Sequence, residues 1–600
     1  MSGIWGASGR LRAAPDEPVL RVVVVAIAAV QAVVLGLLAR RGSWQSDDLD
    51  FLVQGGKGFA PDELLTPLND HIAPGLRFVY AVFAQLAPLN YDVTVAWRVL
   101  MQALAIALMG FLLLRLLGTN WWVVIGTALY ALTPLSMPSF MSLSSAVNNL
   151  PAHVFGLLVL HATIDWHSGS RRRAIAYGPL SLLISLACWE KSGLIMATAL
   201  GLALYLRKLP LRRWLRDSWP FGAAFAVPVV AFGVLYASQG NPSAGKLPGF
   251  GELLELAARS FAVPIGGLAG GPWQWSPVAV PFGLAAAPAG AVAIGLVVLA
   301  ALLFAAWRVD RRALLLWGSL LVYVLTTWLL VSYGRFENFG AVFVLHYHYW
   351  SDVSIPLTLA VVLTVRAIRP RAATLTRLVP VAVACCLVAW TVGVVVSDAG
   401  FAKLWGQNPS RAYFDNVTAD LEGAGPSVNL WDISMPSTVS TILSDDNRLS
   451  PVLRTAGIPF RLQGPGDPYI VSETGRLQPA TLTPWAKTNT PGGCARMLTG
   501  TKPLTQPLQV LQAHDPTRWF AKLAYASQRE VRVMVELIDA EGKVVAMPPP
   551  ADPWPSSHLA NMYFGPSDQI RPVAVRLRAL DPAATVCLGE FELGLPKGTG

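Results

Sequence analysis

Residues 22–38 read VVVVAIAAVQAVVLGLL, and this unbroken apolar stretch decides the class of fold. Arg21 precedes the stretch, and Arg40 and Arg41 follow it. A secretory signal peptide ends in a small-residue cleavage site rather than in a pair of arginines. We therefore interpret the stretch as an uncleaved first membrane span that runs outward.

Ten further apolar runs follow along the chain, each near the roughly 20 residues that a helical span needs. The composition agrees, because 54% of the 600 residues are hydrophobic and 14% are charged, whereas about a quarter of a soluble domain is charged. The sequence therefore predicts a polytopic α-helical membrane protein of about eleven transmembrane helices. The ten runs cover residues 93–117, 121–140, 150–166, 174–189, 192–206, 219–237, 282–307, 313–332, 353–368 and 378–397.

The formal net charge of +10 belongs to the membrane half of the chain. Residues 1–400 hold 28 Lys and Arg against 18 Asp and Glu, and residues 401–600 hold 18 of each. This distribution argues against a basic nucleic-acid-binding surface on a soluble domain, so we expect no nucleic-acid partner. With the N-terminus in the cytoplasm, 19 of the 28 basic residues fall on inner loops beside five acidic ones, as the positive-inside rule requires. Arg40 and Arg41 then fall on the outer side, against that rule.

An odd number of spans places the C-terminal part outside the cytoplasm. We divide the chain into a membrane module, residues 1–399, and an extracytoplasmic domain, residues 400–600. The outer loops of the module are residues 42–92, 238–281 and 333–352. Short amphipathic helices are expected over residues 76–86 and 252–261 of these loops.

The last roughly 130 residues are predicted to form an antiparallel β-sandwich of jelly-roll type. Alternation over residues 530–537, a turn at 539–542 and a further run at 543–547 indicate a hairpin. Residues 572–578 and 586–593 alternate in the same way. Cys494 and Cys587 are the two cysteines of this domain, and an oxidising compartment allows them to form a disulfide.

Asp47 and Asp48 form an acidic pair just after the first span, in the sequence Ser-Asp-Asp-Leu-Asp. Sugar transfer to a hydroxyl needs a carboxylate that accepts the proton of the hydroxyl, and a carboxylate also stabilises positive charge at the anomeric carbon. The alternative is a solvated loop or a helix cap made by Ser46 or Asp47. We favour catalysis, because carboxylates at a membrane surface are costly to desolvate.

His71 and Lys191 are candidate ligands for the phosphate or sugar of a donor. His71 lies in Asn-Asp-His-Ile-Ala-Pro, where the alternative is a turn built by Asn69, Asp70 and Pro74. Lys191 follows Glu190 between two apolar runs, where the alternative is a solvated outer turn. Both interpretations stay open for each residue.

The loop at residues 333–352 carries Arg335, His346, His348 and Tyr349. Arginine is well suited to bind a phosphate, so Arg335 and the two histidines are assigned to the donor. Tyr349 is assigned to the acceptor, because aromatic rings stack on sugars, and its alternative is the aromatic belt of the membrane interface. The His-x-His pair leaves a divalent metal open as a cofactor, but no third ligand is evident, and we predict no metal site.

Trp273 and Trp275, in Gly-Gly-Pro-Trp-Gln-Trp, are further candidates for acceptor binding. Anchoring at the membrane interface is the simpler interpretation of this pair. The more specific interpretation is that the two tryptophans belong to a lid over the site.

With its many spans, its acidic pair after the first helix and its soluble C-terminal domain, the chain resembles the GT-C superfamily of membrane glycosyltransferases. The resemblance implies a polyprenyl-phosphate sugar as donor and Asp47 or Asp48 as the catalytic base. Glu190-Lys191 matches a Lys-Glu type motif of the family only in reversed order. The C-terminal domain is similar to the carbohydrate-binding sandwiches of actinobacterial arabinofuranosyl- and mannosyltransferases, so glycan binding and a bacterial plasma-membrane location are expected.

The resulting hypothesis is an inverting glycosyltransferase that acts on a cell-envelope glycan or lipid acceptor at the outer face of the bilayer. A transporter or flippase for lipid-linked glycans is one alternative, and it predicts charges deep within the spans or inverted repeats. A non-catalytic membrane protein that binds envelope glycans is another, and it predicts that Asp47 and Asp48 are dispensable. Transfer of a phospholipid head group is the third.

Overall fold

The computed structural model describes residues 16–67, 71–238, 248–279, 281–372, 378–440, 447–489, 494, 496–513, 515, 517–550 and 552–599. The chain forms two compact units. The first comprises Met1–Ser43 and Gln54–Asn408, and the second comprises Trp44–Val53 and Pro409–Gly600.

Helices dominate the first unit, and the second contains most of α2 together with α17 and α18. Three 3₁₀ segments, Glu190–Leu194, Gly340–Leu345 and Tyr347–Val353, connect helices of the first unit. The helices are α1 (Glu17–Ala39), α2 (Asp47–Gly55), α3 (Pro61–Leu65), α4 (Pro74–Leu86), α5 (Tyr91–Leu117), α6 (Trp122–Ala131), α7 (Met137–Met141), α8 (Leu143–His167), α9 (Arg171–Cys188), α10 (Ile195–Leu206), α11 (Leu211–Ser238), α12 (Phe250–Leu268), α13 (Ala289–Val309), α14 (Ala313–Phe339), α15 (Ser354–Ala372), α16 (Leu378–Trp405), α17 (Ser410–Ala424) and α18 (Ser450–Thr455).

Within the described residues, eight helical segments are long and apolar enough to cross a membrane. The predicted class, a polytopic α-helical membrane protein, is therefore confirmed. The segments are Glu17–Ala39, Tyr91–Leu117, Leu143–His167, Leu211–Ser238, Ala289–Val309, Ala313–Glu337, Tyr347–Ala367 and Cys386–Ala424.

Three of the eleven predicted runs do not meet that criterion. Residues 121–140 contain α6, which at 10 residues is about 15 Å long, half the thickness of the hydrocarbon core. Residues 174–189 contain most of α9, which is 18 residues long but starts with three arginines, and residues 192–206 contain α10, which has 12 residues. The count of eleven stays a prediction.

Small residues let the first two long helices approach closely. A Cβ atom added to Gly36 of α1 would lie 2.5 Å from Val99 Cγ2 of α5, so only glycine fits there without a shift. Arg40, at the end of α1, donates from Nε and Nη2 to the two oxygens of Asp92, at 3.0 and 2.8 Å. This pairing balances one of the two arginines that the predicted topology places on the outer side.

Both predicted amphipathic segments are helical. Residues 76–86 lie in α4 and residues 252–261 lie in α12. The loop predicted at 333–352 begins later than expected, because α14 continues to Phe339 and therefore contains Arg335.

A β-rich domain forms most of the second unit. Its strands follow the order β12-β11-β14-β9-β7-β15-β10-β13-β5 in one sheet, and β3 pairs in parallel with β4 and β6. The first unit holds a separate two-stranded sheet of β1 and β2. The strands are β1 (Trp275–Ala279), β2 (Phe282–Ala285), β3 (Asn429–Leu430), β4 (Arg461–Leu462), β5 (Gly464–Pro465), β6 (Pro468–Val471), β7 (Leu477–Thr488), β8 (Arg496–Thr499), β9 (Leu504–Val510), β10 (Phe520–Ser527), β11 (Val533–Asp539), β12 (Val544–Ala546), β13 (Ser557–Phe564), β14 (Pro572–Ala579) and β15 (Thr585–Gly598).

Alternate residues of these strands share one apolar core. Val535 of β11, Leu577 of β14, Leu523 of β10 and Leu593 of β15 all lie in it and are at most 2% exposed. Strands from distant parts of the strand order therefore contribute to one core. The prediction of a β-rich C-terminal domain is confirmed, whereas its sandwich and jelly-roll arrangement stays a prediction.

Two local predictions for this domain are confirmed. β11 and β12 form the expected hairpin, in which Glu536 pairs with Ala546 and Gly542 adopts a φ of +84° in the turn. Cys494 and Cys587 form a disulfide across 93 residues of chain, with a Cα–Cα distance of 5.3 Å.

Candidate functional site

A short 3₁₀ turn, Glu190–Leu194, carries the charged pair that sequence analysis singled out. Trp189 ends α9 in an extended conformation, with φ −160° and ψ 118°, so the chain leaves the helix just before the pair. Glu190 and Lys191 are adjacent in sequence but bond to different partners. The turn therefore links two clusters of polar side chains.

The first cluster is a chain of three side chains, Glu190, His71 and Arg335. His71 Nδ1 lies 2.5 Å from Glu190 Oε1, and Arg335 Nη2 lies 2.8 Å from His71 Nε2. A guanidinium only donates, so Nε2 accepts, and we assign the proton of the neutral imidazole to Nδ1, which donates to Glu190. Glu190 thus fixes the tautomer that presents a lone pair to Arg335.

The Glu190 carboxylate is the anionic end of this chain. Burial raises the pKa of Glu190, but the attraction and hydrogen bond of His71 and the charge of Arg335 outweigh it, so the pKa lies below its usual value of 4.5. Glu190 is therefore ionised near neutral pH. Its side chain is 26% exposed and that of His71 is 38% exposed, so the cluster is open to a ligand from solvent.

The second cluster surrounds Lys191 and is buried. Lys191 Nζ donates to Asp352 Oδ1 at 2.8 Å and to the carbonyl of Tyr349, and it lies 4.5 Å from the centre of the Trp189 ring. Tyr323 Oη donates to Asp352 Oδ2 at 2.7 Å. The side chains of Lys191 and Asp352 are 5% and 3% exposed, so this ion pair is shielded from water.

The two histidines of the His-x-His pair lie beside the second cluster. Their ring centres are 5.2 Å apart, and the ring of His348 lies 3.9 Å from that of Tyr349. Burial lowers the pKa of His346 to about 4, so this imidazole is neutral near pH 7. The carbonyl of Tyr349 accepts from Lys191, so His348 lies on the same 3₁₀ segment as this partner of Lys191, and His346 lies next to that segment. His71 and Arg335 are joined by their own hydrogen bond in the first cluster.

Asp47 and Asp48 lie in the first turn of α2, within the second compact unit. Asp48 is 1% exposed, whereas Asp47 is half-buried and accepts from Ser46 Oγ at 3.3 Å. Carboxylates in the first turn of a helix interact favourably with its dipole. Both the capping and the catalytic interpretations of the pair therefore stay open.

The indole N–H groups of the two candidate tryptophans bond to backbone carbonyls. Trp273 Nε1 donates to Ala269 O at 2.9 Å, and Trp275 Nε1 donates to Ser397 O at 2.7 Å. The ring of Trp275 also meets that of Tyr347 edge-on, at 5.2 Å. The interactions of these tryptophans anchor the β1 region, and an acceptor role stays a prediction.

No group of three His, Cys, Asp or Glu side chains in the described part of the chain has an arrangement that could hold a metal ion. Asn69 and Asp70, the neighbours of His71 in its motif, lie outside the described residues.

The tryptophans of the β-domain are buried. Trp431, Trp485, Trp519 and Trp554 are each at most 3% exposed. A sugar that stacks on this domain would need other rings, because these four face its core.

Two residues of the site were missed by sequence analysis. Asp352 closes the run His-Tyr-His-Tyr-Trp-Ser-Asp at the start of an apolar segment, and this position was the available indication of its role. Tyr323 lies within the apolar run 313–332, where nothing distinguishes it from a core aromatic residue.

No family model matches this sequence, and no curated protein matches it. The solved structures that are similar to the chain include the following two. One is the crystal structure of ArnT from Cupriavidus metallidurans bound to undecaprenyl phosphate. Its sequence is 14% identical, the alignment covers 75% of this chain and 93% of the ArnT chain, and the TM-score is 0.43. The other is the cryo-EM structure of the arabinosyltransferase EmbB from Mycobacterium smegmatis. Its sequence is 13% identical, the alignment covers 99% of this chain and 66% of the EmbB chain, and the TM-score is 0.34.

Proposed function

We propose that this protein is a membrane glycosyltransferase of the GT-C kind, which transfers a sugar from a polyprenyl-phosphate donor to a cell-envelope glycan or lipid. The reaction takes place at the outer face of the membrane and inverts the anomeric carbon. Arg335 binds the donor phosphate, and Asp47 or Asp48 is the catalytic base. The β-domain is proposed to contact the glycan acceptor.

One observation carries this proposal, the hydrogen-bonded chain from Glu190 through His71 to Arg335. The bond to His71 uses one N–H group of a guanidinium that has five, so Arg335 is held in place and keeps donors for a ligand. Planar, forked donors suit the oxygens of a phosphate monoester or diester. In this tautomer both ring nitrogens of His71 are occupied, so His71 orients Arg335.

The chemistry is a single displacement. The acceptor hydroxyl oxygen attacks the anomeric carbon and forms the new glycosidic bond. The bond between that carbon and the phosphate oxygen breaks, and its electron pair leaves with the polyprenyl phosphate. The hydroxyl proton passes to the carboxylate of Asp47 or Asp48. The Arg335 guanidinium stabilises the charge that grows on the departing phosphate.

The test is sugar transfer by purified protein in nanodiscs from a panel of radiolabelled polyprenyl-phosphate sugars. Wild type is compared with Asp47→Asn, Asp48→Asn and Arg335→Met. Asp50→Asn is the matched control, because Asp50 lies on the same short helix. We expect one of the first two variants to lose transfer by about a hundredfold or more while it still binds donor.

Arg335→Met is expected to weaken donor binding, because the phosphate loses a bidentate partner. Equal transfer by wild type, Asp47→Asn and Asp48→Asn would refute the catalytic assignment of the pair. Donor binding that survives Arg335→Met unchanged would refute the phosphate site.

A further inference from the structure

The buried cluster around Lys191 uses its ammonium group internally. Lys191 has three N–H groups, of which one bonds to Asp352 and one to the Tyr349 carbonyl, and the ammonium also lies against the Trp189 ring. With its side chain 5% exposed, it has little surface to offer a phosphate. A phosphate at Lys191 could use only the third N–H group, and it would then be buried beside the Asp352 carboxylate as a second anion.

Both carboxylate oxygens of Asp352 are engaged within the cluster as well. One carboxylate oxygen accepts from Lys191 at 2.8 Å and the other accepts from Tyr323 at 2.7 Å. Its neighbour Ser351 donates to Asn149 at 2.5 Å, and Trp350 Nε1 donates to Val344 O at 2.8 Å. The segment Tyr347–Val353 is thus tied to α8 and α14 as well as to the 3₁₀ turn.

The turn also carries Glu190, one residue from Lys191. The position of Glu190 sets the position of His71, and through His71 that of Arg335. Tyr323 and Arg335 lie on the same helix, α14, 12 residues apart, which is about 18 Å along the helix axis. The dipeptide Glu190-Lys191 is therefore linked to α14 at two separate levels, once through His71 and once through Asp352.

We propose that Asp352 and Tyr323 are positioning residues that hold Lys191, and that Lys191 serves to fix the Glu190–His71–Arg335 chain rather than to contact the phosphate. This inference rests on the proposed function and deepens it, because it leaves Arg335 as the phosphate-binding cation. It makes Lys191 and Asp352 one functional unit.

A double-mutant cycle tests the inference. Full-length protein in nanodiscs is prepared as wild type, Lys191→Met, Asp352→Leu and the combined variant, and binding of farnesyl phosphate is measured by calorimetry. Removal of one partner leaves a buried charge, so we expect each single variant to bind about tenfold more weakly or worse. The combined variant, in which an apolar pair replaces the ion pair, is expected to bind within about threefold of wild type.

Tyr323→Phe gives a second test with a matched control. Tyr177→Phe also removes one hydrogen bond to a carboxylate oxygen, of 2.9 Å to Asp165 Oδ2, but Asp165 pairs with Arg115 and Arg173 instead of with Lys191. If Tyr323 positions the site, Tyr323→Phe weakens binding of farnesyl phosphate more than Tyr177→Phe at a similar shift in the thermal unfolding midpoint. Equal effects of the two variants on binding would show that Tyr323 has a structural role alone, and would overturn the inference that Tyr323 is a positioning residue.

The outcomes separate the inference from the function on which it rests. A combined variant that binds as weakly as Lys191→Met would show that Lys191 contacts the phosphate, and would overturn the inference. Wild type that binds no farnesyl phosphate would refute the proposed donor class instead. In that case the positioning role is tested by the rate of amide hydrogen exchange in residues 188–194. Faster exchange in Asp352→Leu than in wild type, with a return to the wild-type rate in the combined variant, would support that role. Unchanged exchange in Asp352→Leu would overturn it.

Discussion

At the scale of single residues, Lys191, Asp352 and Arg98 of the helical unit are charged side chains that are buried together with hydrogen-bond partners. Lys191 and Asp352 neutralise each other, and the charge of Arg98 is distributed over backbone carbonyls. A buried charge is tolerated only when such partners replace water. Loss of one partner should therefore cost more than loss of a typical surface contact.

Arg98→Met should destabilise the protein by about 2–3 kcal/mol, because the buried carbonyls would lose their donor. Arg98 is 0% exposed, and its Nη1 donates to Phe140 O at 3.0 Å and to Met141 O at 2.6 Å. These carbonyls end the short helix α7. Thermal and denaturant unfolding of the purified protein in detergent measure the loss. Exposed Arg259, which pairs with Glu255 on α12, gives the control variant Arg259→Met. Equal stability of Arg98→Met and wild type would contradict this role.

Glu190→Gln should lower the stability by about 1 kcal/mol near pH 7, because the amide is a weaker acceptor for His71 than the carboxylate is. The pKa of Glu190 is depressed in the folded state, so its contribution is complete above the usual value of 4.5 and is lost as the pH falls through the lower, folded-state pKa. The gap between wild type and Glu190→Gln should therefore close in acid.

Unfolding midpoints of both proteins across this pH range test the expectation. Glu63→Gln is the control, since Glu63 lies 3.8 Å from Lys57 in a half-exposed pair. A gap of constant size at pH values well below 4.5 would show that ionisation of Glu190 does not carry the effect.

At the scale of elements, short irregular segments hold the site, and long helices support them. The 3₁₀ turn Glu190–Leu194 and the 3₁₀ segment Tyr347–Val353 supply Glu190, Lys191 and Asp352. A segment between helices can direct neighbouring side chains to different partners, whereas helical side chains repeat every 3.6 residues. The exceptions are Tyr323 and Arg335, which both lie on the long helix α14.

In the β-domain, the disulfide joins Cys494, which precedes β8, to Cys587 of β15. Replacement of both cysteines by serine should destabilise this domain by about 2–4 kcal/mol, because the bond constrains a long loop in the unfolded chain. Denaturant unfolding followed by tryptophan fluorescence measures the change. Cys386→Ser, which removes an exposed free thiol, is the control. An unchanged transition in the double variant would mean that the β8–β15 pairing suffices.

At the scale of the whole molecule, the chain is not divided at one point. The segment Trp44–Val53, which contains Asp47 and Asp48, belongs to the same compact unit as Pro409–Gly600. Ser46 N donates to Val439 O at 2.9 Å within this unit. The acidic pair that follows the first span is thus held by a domain at the other end of the sequence.

The charge distribution predicts the orientation of the whole molecule. Glu541→Cys, in the β11–β12 hairpin, should react with a membrane-impermeant maleimide in intact cells, because the positive-inside rule places this domain outside. Arg172→Cys, on a predicted inner loop, should react only after lysis. Wild type supplies the background from its own cysteines. Labelling of Arg172→Cys in intact cells would show that the orientation is the reverse of the predicted one.

Local patterns in the sequence determined the membrane class, the β11–β12 hairpin and the cysteine pair. Apolar length, strand alternation and a turn glycine act over a few neighbouring residues, so they can be recognised without the fold. The tertiary structure decided the site. His71 is 119 residues from Glu190 and 264 from Arg335, and such contacts depend on how helices pack rather than on local pattern. It also decided that Lys191 is buried against Asp352 and Tyr323, because burial of a charge depends on the partners that the fold provides.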